Sequence, residues 1–146
     1  VWACEKFAAK FLWERNLIPN VSAVIWRRDR LLAALAAVDD LYEWRVAGDW
    51  RLYLAACLGG TGRVAFLGAP LNQHRRHEAG ITQSLDAGQH VQEITAMQEI
   101  AASALGLNAT KRKAQRYYAE TISRQLGVEI SAVIPPKREV ARKKRV

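Results

Sequence analysis

Hydrophobic positions along the chain recur at helical spacing in some stretches and gather into short unbroken runs in others. Phe7, Phe11 and Leu12 share one helical face, so Trp2 to Arg15 reads as an amphipathic helix. Pro19 disfavours helix in the residue before it, which breaks the chain at Leu17-Ile18-Pro19-Asn20. Ser22 to Trp26 (SAVIW) is a short, partly β-branched apolar run, expected as a buried strand. Arg27 to Val38 turns helical; its run LLAALAAV is expected to be buried, and Asp39-Asp40 with Leu41-Tyr42 make a polar exit. Gly48-Asp49-Trp50 leads into a helix over Arg51 to Leu58, which the run Gly59-Gly60-Thr61-Gly62 stops. Val64 to Leu67 (VAFL) is expected as a second strand, ended by Pro70. After a polar segment from Asn72 to Thr82, Val91, Ile94, Met97 and Ile100-Ala101 form the apolar stripe of a helix starting near Gln89. Gly106-Leu107-Asn108 interrupts it, a second helix runs from about Ala109 to Leu126, and Gly127 closes that one.

This order implies an α/β fragment, mostly helical, with strands too few to make a complete sheet. We therefore expect a piece that completes a sheet begun elsewhere. Three units are anticipated: 1–88, a helical hairpin over 89–134, and a basic, disordered tail over 135–146.

The composition is that of an ordinary globular chain: of 146 residues, 50% are hydrophobic and 25% charged. The chain opens on Val1 rather than Met, which points to a start inside a longer protein. Cys4 and Cys57 are too few and too far apart for a disulfide framework or metal cage, and read as reduced thiols of a cytosolic protein. No run approaches the roughly 18–20 apolar residues that cross a bilayer, and no signal peptide is visible. The net charge is +8, but Lys137 to Arg145 (KREVARKKR) holds six basic residues against one acid. Most of the excess is thus a terminal arm. Such an arm can touch an anionic membrane, at about 1 kcal/mol per basic residue near the surface. With the excess removed from the rest of the chain, a dedicated nucleic-acid-binding domain is disfavoured.

Three blocks carry a resemblance. Asn16 to Leu31 (NLIPNVSAVIWRRDRL) sets an Asn-containing turn before a Ser-Ala run and then arginines at a helix start. Ala47 to Leu54 (AGDWRLYL) contains an Asp-Trp pair. Gly62 to Thr82 (GRVAFLGAPLNQHRRHEAGIT) holds an apolar run, Pro-Leu, Arg-x-His and Ile-Thr. In this order and spacing they resemble the second, acceptor-side half of family 2 glycosyltransferases, whose fold is the Rossmann-like GT-A. The hairpin after Gln89 is similar to the variable tails that follow this core in polysaccharide-building members. In two respects the chain departs from the family. Gly48 stands where members usually have a second carboxylate, and nothing before Asn16 matches the Asp-x-Asp metal motif or the nucleotide-binding half. Asp39-Asp40 lacks the intervening residue and follows the Ser-Ala run.

The resemblance implies transfer of a sugar from a nucleotide-sugar donor to the hydroxyl of a glycan or other acceptor, with inversion at the anomeric carbon. Asp49 corresponds to the catalytic base, which would take the acceptor hydroxyl's proton; its alternative role is a helix N-cap. Trp50 would offer an apolar platform to the acceptor sugar, or else pack in the core. Ser22 would sit near the acceptor pocket, or satisfy backbone at a strand entry. Arg75 and Arg76 would contact the diphosphate, and His77 would reach the divalent metal, Mg or Mn, that such enzymes use; the alternative is a solvated basic loop. His74 and His77 have no second ligand pair, which argues against zinc. His90 reads as a helix-surface or capping residue. The missing N-terminal half becomes a necessary partner, without which the chain is expected to be inactive. The expected location is the cytoplasm, at the inner membrane face if the basic arm binds there.

Two other classes compete. Glu99 to Leu107 followed by a basic helix resembles a helix-turn-helix, although Arg112 stands where such motifs bury a branched apolar residue. The other is a non-catalytic helical interaction domain.

Overall fold

The computed structural model describes residues 1–18, 20–59, 61–72 and 86–130. Among these the chain is mostly helical, with one antiparallel pair of short strands, β1 (Trp2–Ala3) and β2 (Arg63–Val64). Trp2 lies opposite Val64 and Ala3 opposite Arg63. The N-terminal helix therefore starts later than its periodicity suggests: α1 (Cys4–Phe7) follows β1 directly and continues as a π-helical turn over Ala8–Leu12. A long-range hydrogen bond decides the boundary, since Cys4 N–H donates to Gly62 O at 3.0 Å. Glycine suits position 62 because a Cβ there would stand 3.0 Å from Cys4 Sγ.

Four main-chain oxygens at or beyond the end of this first helix are capped by side chains from elsewhere. Lys111 Nζ reaches Ala9 O at 3.2 Å and Trp50 Nε1 reaches Leu12 O at 2.9 Å. Gln115 Nε2 donates to Trp13 O at 2.6 Å and Gln98 Nε2 to Glu14 O at 2.9 Å. Helix ends leave carbonyls without intrahelical partners, and unpaired buried ones cost about 1–3 kcal/mol each. Capping thus locks the N-terminal segment onto three other helices.

Those helices are α3 (Gly48–Leu58), α4 (Ala87–Leu105) and α5 (Ala109–Leu126), preceded by α2 (Arg28–Ala36). The hairpin α4–α5 follows its local signals closely. Gly106 takes φ +59° to end α4, the Asn108 side chain caps α5 by accepting from Lys111 N–H, and Gly127 takes φ +69°. Midway along, Gln98 and Gln115 each donate a side-chain N–H to the other's main-chain oxygen at 3.0 Å. One core joins all of this: Ala8 and Leu12, then Trp50, Tyr53 and Leu54 of α3, with Ile94, Met97 and Ala101 of α4.

Both expected buried strands are corrected. Val21–Ala23 is a 3₁₀ turn, and Ile25 after it is 94% exposed. Beyond Val64 the second run has no ladder partner among the described residues, and Phe66 is 84% exposed. Strand formation needs a neighbour's N–H and C=O groups, which sequence composition does not supply. The apolar run of α2 is also only partly interior: Ala34 and Val38 are buried while Leu32 and Leu35 are exposed. Cys4 and Cys57 are free and buried, and burial beside Cys4 pushes the Cys57 thiol up to about 12. No helix among the described residues is long and apolar enough to cross a membrane.

Candidate functional site

The entry to α3 is held from outside itself. Glu93 of α4 is 4% exposed, and its carboxylate gathers the three successive main-chain N–H groups of Arg45, Val46 and Ala47 at 3.0, 2.8 and 3.0 Å. Gln89 Nε2 adds a fourth donor at 3.2 Å. Three convergent backbone donors suit an anion, so a buried carboxylate is stable there. Arg51, one turn into α3, pairs with Asp40 at 3.1 Å and fixes the preceding turn as well.

Asp49 is the second residue of the helix so positioned. Its Oδ1 accepts the Trp50 N–H at 2.7 Å, and the Asn16 side chain hydrogen-bonds the same carboxylate. The N-cap position itself is Ala47, which has no side-chain cap, so Asp49 is not the N-cap that the sequence allowed. A carboxylate offers about four lone-pair sites, and these donors leave room for another. Burial pushes the Asp49 carboxyl above the usual carboxylate range, more than the hydrogen bonds from Trp50 and Asn16 pull it down. The result is a more basic group than an exposed aspartate.

A cleft of about 640 Å³ opens beside this carboxylate. Asp49, Asn16 and Ile18 line it on one side, Trp44 borders it, and His90 of α4 and Tyr118 of α5 complete it from the hairpin. Burial lowers His90 below its ordinary value against the opposing pull of the Glu93 carboxylate, and raises the Tyr118 phenol. Both are therefore uncharged at neutral pH. Arg15 sits over the Tyr118 ring, 5.9 Å from its centroid.

The other sequence candidates fare differently. Trp50 borders the cleft but is 2% exposed with its indole N–H spent on Leu12 O, so it is a core residue and not a sugar platform. Ser22 is exposed, donates to Asn20 Oδ1 at 2.7 Å, and does not line the cleft, though Asn20 and Val21 do. Arg75, Arg76 and His77, with His74, lie outside the described residues. His90, half-buried on α4, lines the cleft. Asn16, which opens the Asn-containing block, and Tyr118, which nothing local singles out, also line the cleft. Among the described residues no group of three or more His, Cys, Asp or Glu could hold a metal ion.

No protein-family model, curated protein or solved structure matches the chain.

Proposed function

We propose that this chain is the acceptor-side part of a family 2 glycosyltransferase, with Asp49 as general base. The observation that carries the reading is a half-buried carboxylate of raised basicity facing a cleft, with hydrogen-bonding capacity to spare. In this role Asp49 takes the proton of the acceptor hydroxyl while that oxygen attacks the anomeric carbon and the nucleoside diphosphate departs. Asn16 and the Trp50 N–H hold the carboxylate in place, so little reorganisation is needed at the moment of transfer. A divalent ion would neutralise the leaving diphosphate in the complete enzyme.

Two further features support the reading. Ile25 and Phe66 expose apolar side chains on segments whose composition suits strands, where the nucleotide-binding half of such an enzyme would pack. The hairpin favours transfer over DNA reading: Gln98 and Gln115 bind each other's backbone well away from the turn, so α4 and α5 run side by side. Arg112 is spent on Glu99 at 3.0 Å.

The test is Asp49→Asn in the enzyme that includes the nucleotide-binding half. Turnover should fall by about 10²–10⁴ with the fold and donor binding preserved. Undiminished sugar transfer by the variant rejects the assignment.

A further inference from the structure

The cleft has two walls of different origin. Asp49 and Asn16 belong to the blocks that carry the family resemblance, whereas His90, Ile94 and Tyr118 come from the hairpin beyond them. Among the described residues neither the His90 ring nor the Tyr118 hydroxyl has a hydrogen-bond partner, and the ring of Tyr118 is steadied by Arg15 alone among cations. The hairpin's own packing therefore does not account for these two polar tips. It is served by Gln98, Gln115, Met97 and Ala101. The cleft volume, about 640 Å³, falls within the roughly 300–1,000 Å³ of small-molecule sites.

We propose that the α4–α5 hairpin supplies the acceptor subsite of the Asp49 cleft, with His90 and Tyr118 hydrogen-bonding the hydroxyls of an uncharged pyranoside. This rests on the glycosyl-transfer reading, because groups around the base are those that meet the acceptor. The lining chooses the ligand class. Ile18 is an apolar surface for the C–H face of a sugar ring, and Asn16, His90 and Tyr118 are neutral groups able to donate and accept. Arg45 is the one Lys or Arg in the lining, and among the described residues it forms no ion pair with Asp49. An anionic sugar would meet the Asp49 carboxylate with no cation paired to it.

The experiment is an NMR titration of the 146-residue chain. The probes are methyl glucopyranoside, mannopyranoside and galactopyranoside, with methyl glucuronide as the charged counterpart. At least one neutral glycoside should saturably shift signals of His90 and Tyr118 together with those of Asn16 and Asp49. Tyr118→Phe and His90→Ala should each weaken that binding by about three- to tenfold, the scale of one hydrogen bond. Tyr118→Phe keeps the packed ring, and backbone spectra of both variants check the fold. Shifts confined to the Asn16–Asp49 wall and indifferent to both substitutions overturn the hairpin subsite while leaving the transfer reading standing. Binding of the glucuronide alone overturns the ligand class. Silence of the whole cleft toward every glycoside overturns the subsite, whereas the transfer reading stands or falls on the turnover of Asp49→Asn in the enzyme that includes the nucleotide-binding half.

Discussion

The indole Nε1 of Trp50 donates to the main-chain oxygen of Leu12 at 2.9 Å, and this bond turns Trp50 inward from the helical turn that leaves Asp49 at the cleft. Adjacent residues on a helix point about 100° apart, so one docks the element while the other faces the opening. The Asp-Trp pair thus divides into a buried anchor and a carboxylate at the cleft.

Trp50 is accordingly a stability residue. Trp50→Phe should cost about 1–3 kcal/mol, since it strips the Leu12 oxygen of its donor and leaves unfilled volume. Trp50→Ala should cost about 3–5 kcal/mol. Urea unfolding followed by circular dichroism reads both, and a change below 0.5 kcal/mol (about the scale of a surface substitution) contradicts the anchor role.

Asp49 carries the opposite sign. Its carboxyl is raised above the ordinary 3.8 in the folded state, so the folded chain holds that proton more tightly than the unfolded one. Stability from this group is therefore full below the unfolded value, declines as pH rises through the folded value, and is flat above it. Asp49→Asn cannot ionise and escapes the decline. Its melting temperature should exceed the parent's at pH 7, and the two should converge in acid near pH 3. A variant that melts lower at pH 7 and equal in acid would reverse the sign.

Glu93 organises the entry to α3 through a carboxylate with two acceptor oxygens. Glu93→Gln exchanges one of them for a donor that faces backbone N–H groups. The loss should be about 2–4 kcal/mol, from broken charge-assisted bonds and a donor facing a donor. Hydrogen exchange at Arg45, Val46 and Ala47 should accelerate in this variant, since their amides are its acceptor's partners. Unchanged protection there removes Glu93 from this role.

Gln98 and Gln115 act as a pair. Either alanine variant strips a part-buried carbonyl after the first helix of its side-chain donor, Glu14 in one case and Trp13 in the other, and breaks one of the two bonds across the hairpin. The double variant should be less damaging than the two single losses added together, by about 0.5–3 kcal/mol of coupling. Strict additivity in a double-mutant cycle would show that the two amides do not cooperate.

How far local sequence reaches is clear from these same elements. The bounds of α5 were legible at Asn108 and Gly127, because a side-chain cap and a left-handed glycine act within a few residues of themselves. The strand at Trp2–Ala3 was not, since its partner Arg63–Val64 lies far along the chain and nothing near Trp2 announces it. Likewise Ser22–Trp26 has a strand's composition and, among the described residues, no ladder to join.

The sequence by itself determined the helical hairpin and the break points around it. Those follow from periodicity and capping, which are local properties. Only the tertiary structure decided that Trp50 is interior, that Asn16 holds Asp49, and that His90 and Tyr118 form the far wall. Burial and orientation arise when segments remote in the chain compete for the same contacts, and no local pattern records the outcome of that competition.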